Sequence, residues 1–309
     1  MRGGTAPMPL ADVGDLSWSW NIGADLQGLF AYHFMVNAFR AGTIVAIAAA
    51  VIGWFMVIRG ESFVGHTLAL VGFPGAAGAT LLGVSATFGF FVFSIAAALI
   101  IALLPRGNSV RGFSEESAVV GTVQAAALAS GFLFISLYHG FLNGVNALLF
   151  GSFLGVTDSQ VLTLFVLGAA AVIILALTGR PLLFASIDGD VAAANGVPVR
   201  WLSSLFLVLL GVAAAEASQI TGTLLVFALL VVPAATAQIL TPHPLKSLAL
   251  AVGLGLGITW AGLTAAYYSP YPVGFFITSF AFAAYLLVRI GQGHPWRRAF
   301  QHEAKQAPA

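Results

Sequence analysis

Two ionisable side chains stand inside or at the edge of long apolar stretches of this sequence, where each is costly: His66 and Glu216. Neutral imidazole is a good ligand for zinc and similar ions, and carboxylate oxygen suits manganese. Two readings stay open for His66. It is either a weak, transient ligand on an ion's path or a packed neutral histidine bonded to a backbone carbonyl. For Glu216 the choice lies between an interfacial or docking residue and a weak ion ligand. His33, His139, Glu115, Glu116 and His243 fall in the gaps between apolar runs. The chain has no cysteine, so disulfides and thiolate metal sites are excluded. The metalloprotease pattern H-E-x-x-H and the phosphate-cradling pattern G-x-x-x-x-G-K-S/T are both absent, and no serine near His66 has a facing base. Proteolysis within a membrane and ATP hydrolysis by this chain are therefore not expected.

The elements that must position these groups follow from composition. Charged residues make up 7% of the 309 residues and hydrophobic ones 59%, with mean hydropathy +0.97. A soluble domain carries about a quarter charged residues, so lipid must be the solvent here. Each span of roughly 30 Å needs about 20 helical residues that satisfy their own backbone. The apolar runs are continuous, as in 161–177 and 202–215, and not alternating as in a membrane barrel. The fold class is all-α, one polytopic transmembrane helical bundle of eight to nine spans. Nine are read, near 34–58, 62–84, 86–104, 117–137, 158–178, 200–219, 222–241, 246–268 and 273–290. The apolar, glycine-punctuated stretch 141–155 is too short for a span and reads as interfacial. Residues 1–33 form a polar and amphipathic lead-in, lack the pattern of a signal peptide, and bring Trp18, Trp20, Phe30 and Tyr32 to the interface. Residues 291–309 form a cytoplasmic tail. With the N-terminus outside, nearly every Lys and Arg falls in the cytoplasmic segments 59–61, 104–116, 179–200, 241–246 and 291–309. Arg2 stays outside, and Arg40 lies near the outer end of the first span.

Glycine and alanine are frequent in the spans, which lets membrane helices approach closely. Pro74 and Pro233 lie inside spans, where each removes a hydrogen bond and opens or kinks the helix. Thr236 and small residues follow the second break, so static kink and gating bend are both possible readings. The cytoplasmic segment 179–200 is longer than a plain connection. Asp188 or Asp190 caps a short helix through Ala193 and Ala194, Gly196 supplies the left-handed stop, and Pro198 ends it. Such a rigid knob is what a separate soluble motor could grip; an ordinary capped loop helix is the plain alternative.

Six segments, in order, carry a resemblance. They are FMVNAFRAG (34–42), VIRGESFVGHTLALVGFPG (57–75), FSEESAVVG (113–121), LLFGSFLGV (148–156), IDGDVAAANGVPV (187–199) and QITGTLLVFALLVVPAATAQILT (219–241). The chain resembles the permease subunits of the metal-type (zinc, manganese, iron) ABC importers over residues 34–290. The resemblance implies an importer fold like that of the vitamin B12 permeases and a homodimer with the pathway on its two-fold axis. It also implies a pair of separate ABC ATPase subunits gripping 187–198, an extracellular metal-binding protein docking above, and a bacterial cytoplasmic membrane. The cargo it implies is a divalent transition metal, zinc or manganese first. No cofactor is expected on this chain, ATP belongs to the partner subunit, and nucleic acid has no place. One departure matters: His66 stands where members typically carry aspartate, and Leu70 where they carry histidine. A chelated metal, siderophore or haem on the same fold therefore stays open as cargo. A stand-alone secondary transporter would need a central carboxylate that the sequence does not offer. One face of the second span is the first candidate for the dimer contact.

Overall fold

The computed structural model describes residues 28–104, 112–138, 155–223 and 226–292. Eleven helices carry the described chain: α1 (His33–Ile58), α2 (Ser62–Leu81), α3 (Ala86–Leu103), α4 (Gly112–Leu137), α5 (Asp158–Ile187), α6 (Gly189–Ala194), α7 (Val199–Thr221), α8 (Val226–Leu230), α9 (Val232–Leu240), α10 (Pro244–Tyr267) and α11 (Val273–Gly291). Eight of these are long and apolar enough to cross a membrane. The all-α, multi-pass bundle expected from composition is thus what the chain forms. His139 and nearly all of 141–155 lie outside the described residues, as do most of the lead-in and the tail.

Two differences from the sequence reading have physical causes. The run 222–241 is not one span but the broken pair α8–α9. Gly222 turns the chain at φ +80°, and Pro233 sits near the start of α9 and cannot donate to the preceding turn. Gly53 of α1 faces this break so closely that a Cβ there would collide with the Leu230 carbonyl oxygen. In contrast, α2 runs unbroken through Pro74, which packs its ring against Gly131 of α4, where a Cβ would lie 3.0 Å from Pro74 Cγ. Second, the span expected to end at 178 continues through Arg180 and Pro181 to Ile187. The segment 179–200 is therefore mostly helix: the end of α5, then α6, then the start of α7.

The core is made by α1, α2 and α7, most of whose residues are buried, while α4, α5 and α11 are largely exposed. Packing runs in two groups. Helix α2 holds α3 and α4 on one flank, and α1 holds α5 and α10 on the other, with α7 touching both. Where α2 meets α3, Gly75 and Gly89 lie backbone to backbone, and a Cβ on either would strike the other's carbonyl oxygen. This is the close approach that small residues permit in lipid. Polar threads fix the register elsewhere: Trp54 Nε1 donates to Ser247 Oγ at 2.9 Å, and Gln238 Nε2 donates to the Trp54 carbonyl at 3.0 Å.

Candidate functional site

The short helix α6 forms as its residue types require. Asp188 has extended backbone and its Oδ1 accepts from the Val191 amide at 3.0 Å, which caps α6. Asp190 instead lies in the first turn, exposed, where a carboxylate complements the free N–H groups. Gly196 adopts φ +82° just beyond the helix, a region open to glycine, and Pro198 is the N-cap of α7. Ala192 is fully buried against the bundle. Val191, Ala193, Ala194, Asn195 and Pro198 are exposed. One side of α6 is thus anchored, and the opposite side is free to meet another surface.

Behind this knob lies a polar cluster that sequence reasoning missed, having used Arg59 only as a marker of orientation. Arg59 follows α1, and its guanidinium donates to Glu61 Oε1 through Nε (3.1 Å) and Nη2 (2.9 Å). It also donates to Ser186 Oγ on α5 (3.2 Å) and to Ser203 Oγ on α7 (2.9 Å). Its plane lies over the Phe206 ring, 5.1 Å from the centroid. The Arg59 and Glu61 side chains are only 9% and 11% exposed, so the pair is shielded from screening, and three guanidinium nitrogens are engaged at once. The α1–α2 turn is thereby clamped to the two helices that carry α6. The legible signal was an R-G-E triplet in an almost uncharged chain.

His66 stands on one stripe of α2 with Phe63, which is exposed, and Leu70, half-buried like itself, spaced as one helix face requires. Its imidazole, half-buried, meets the Phe227 ring of α8 edge to face, with centroids 5.8 Å apart. Among the described residues its ring nitrogens make no hydrogen bond, so the carbonyl-bonded reading finds no partner here. The rest of α2 is buried in its own bundle, so a dimer contact through this helix has that stripe alone to use. Among the described residues no group of three or more acidic or histidine side chains gathers around one point.

Glu216 requires a correction. It does not sit at an outer surface: the residue is wholly buried in α7. A Cβ on Gly168 of α5 would lie 3.1 and 3.3 Å from its two carboxyl oxygens and 3.3 Å from Ile44 of α1. Neither oxygen has a hydrogen-bond partner. It is therefore not placed to dock an external protein, nor is it near His66 in contact. Thr236 is buried and returns its hydroxyl to the Val232 carbonyl at 2.7 Å, which satisfies it within α9 beside the Pro233 break.

At the other end of the molecule, a clasp joins α1 to α5. His33 Nε2 and Asp158 Oδ2 are 3.1 Å apart, and Asn37 Nδ2 donates to the Val156 carbonyl at 3.2 Å. The start of α5 is fixed by a capping box in which Thr157 and Gln160 each bond the other's backbone amide.

The model of the ABC 3 transport family matches residues 31–292. The chain belongs to the ABC 3 transport family. Among its relatives is the manganese transport system membrane protein MntC of Halalkalibacterium halodurans, 31% identical over 237 residues, covering 76% of this chain and 79% of that one. The chelated iron transport system membrane protein YfeC of Yersinia pestis is 32% identical over 226 residues, covering 73% and 75%. The solved structure of PsaBC from Streptococcus pneumoniae in complex with Fab superposes with TM-score 0.77 at 29% identity, over 91% of this chain and 99% of that chain. The ABC 3 assignment makes the chain a multi-pass membrane permease of the metal-type ABC importers.

Proposed function

We propose that this ABC 3 permease imports a divalent transition metal ion, manganese or zinc, across a bacterial cytoplasmic membrane as one half of a homodimer. ATP is bound and hydrolysed by a separate ABC ATPase, and an external metal-binding protein delivers the ion. This chain carries out no catalysis of its own. The observation that carries the reading is the anchored, outward-facing α6, capped by Asp188 and joined through Arg59 to the turn that starts α2. A separate soluble motor needs such a projecting, anchored element to grip. Movement imposed on α6 by the motor reaches α2, and His66 on its partly exposed stripe is the transient ligand that meets the passing ion. A single imidazole from each subunit binds weakly, and transit favours weak binding because the ion must leave. Relatives named for manganese support the ion, and the relative named for chelated iron is the second cargo to test.

The decisive experiment is ATP-dependent uptake of manganese, zinc and chelated iron by liposomes holding this chain, its ATPase and its external binding protein. Uptake of a free ion that Ala193→Arg on the face of α6 abolishes is the expected result. ATPase stimulation without uptake of manganese or zinc sinks the free-ion reading.

A further inference from the structure

A groove of about 900 Å³ opens sideways between α1, α5 and α10. Its walls are apolar and exposed, Leu162, Phe165 and Trp260 among them. It lies at the start of α1 and α5 and the end of α10, the end that the charge pattern puts outside. Arg40 and Asp158 are the charged residues on its wall. Asp158 is held by His33 at 3.1 Å. Arg40 is exposed; it acts electrostatically on Asp158 across the groove wall but makes no ion pair within 4 Å among the described residues. It is also the exception to the positive-inside pattern: the other described Lys and Arg all belong to the cytoplasmic end. A cation about 10 Å along α1 from its first residue, by helix rise, lies within reach of the headgroup level if the side chain extends outward. There it calls for an anion, and in an otherwise apolar, membrane-facing groove the anion at hand is a lipid phosphate.

We infer that this groove is a binding site for one phospholipid of the outer leaflet, with the phosphate on Arg40 and an acyl chain along Ile44, Phe165 and Trp260. Trp260 is held for such contact, because its Nε1 donates to Thr43 Oγ1 at 3.0 Å and leaves the ring face to the groove. A second copy of the chain has a better surface elsewhere, since α4 is the most exposed long helix and packs on α2 and α3, not on the groove helices.

The test uses the full chain in detergent micelles and tryptophan quenching by dibromostearoyl phosphatidylglycerol, with dibromostearoyl diacylglycerol as the phosphate-free probe. Six tryptophans are present, so the share due to Trp260 is taken as the difference from Trp260→Phe. That share is expected to saturate at low lipid fraction. Arg40→Gln, or removal of the phosphate from the probe, raises the half-quenching fraction roughly fivefold, and Arg40→Lys restores most of it. The diacylglycerol comparison needs no variant, so a misfolded Arg40→Gln does not blunt the result. Quenching that follows bulk lipid composition, identical for both probes, shows annular lipid only and overturns the site. So does a Trp260 that no probe reaches in liposomes holding the complete importer, which places a protein in the groove.

Discussion

At the residue scale, His66 and Glu216 separate cleanly. His66 is reachable on the α2 stripe, so His66→Ala is expected to lower metal uptake roughly tenfold while ATPase stimulation persists. Restoring the family's pair with His66→Asp and Leu70→His should tighten metal retention by the detergent-solubilised chain, measured by equilibrium dialysis. Glu216 presents two unpaired oxygens to the packing of α5 and α1. Replacing an unsatisfied buried polar group by an apolar one of similar size relieves about 1–3 kcal/mol. Glu216→Leu is therefore expected to raise the midpoint of thermal unfolding and leave uptake intact; lost uptake at unchanged stability would make it a ligand. The sequence marked both residues by their rarity and put His66 ahead of Glu216, but it could not say that Glu216 is buried. Rarity says that a group is costly, whereas accessibility depends on which helix passes in front, here α5 with Gly168.

At the element scale, the short helix α6 was legible nearly to the residue because each of its signals acts locally: a carboxylate cap, small helix formers, glycine at positive φ, then proline. Asp188→Ala removes the cap, costs about 1 kcal/mol, and should reduce coupling, read as uptake per ATP hydrolysed. The Arg59 cluster was not legible, since Ser186 and Ser203 are brought to it by tertiary packing across 127 and 144 residues of chain. Arg59→Ala removes the guanidinium that bonds Glu61 Oε1, Ser186 and Ser203. Even Arg59→Lys cannot reproduce the fork. Both should lower stability in detergent, and Arg59→Lys should uncouple the motor at temperatures where the fold survives. The broken run α8–α9 was read as a whole span because apolarity carries no record of a backbone turn; Gly222 and Pro233 were its only marks. The length of α5 was read short, as a span ending at 178, because Arg180 and the segment after it read as a connection, yet the helix runs on through Pro181 to Ile187.

At the scale of the whole molecule, composition gave the all-α membrane class, and the apolar runs other than 222–241 matched the eight long apolar helices of the described residues, because the bilayer constrains every segment in the same way. The arrangement of bare surface was not written in it. Helix α4 shows the least burial of the long helices, with Phe132 at 70% exposure. The chain has no cysteine, so Phe132→Cys introduces a lone thiol. Mild oxidation in membranes is expected to link Phe132→Cys chains into a species of twice the mass on a non-reducing gel. Phe165→Cys in the lipid-facing groove should stay monomeric. Helix α5, finally, has 30 residues and so spans about 45 Å, some 15 Å more than the hydrocarbon it crosses. One end of this helix leads directly into α6 past Pro181, and the other meets α1 through the His33–Asp158 contact. Under the proposed coupling, α5 is thus a single rigid lever about 45 Å long, whose two ends answer to the two partners on opposite sides of the membrane.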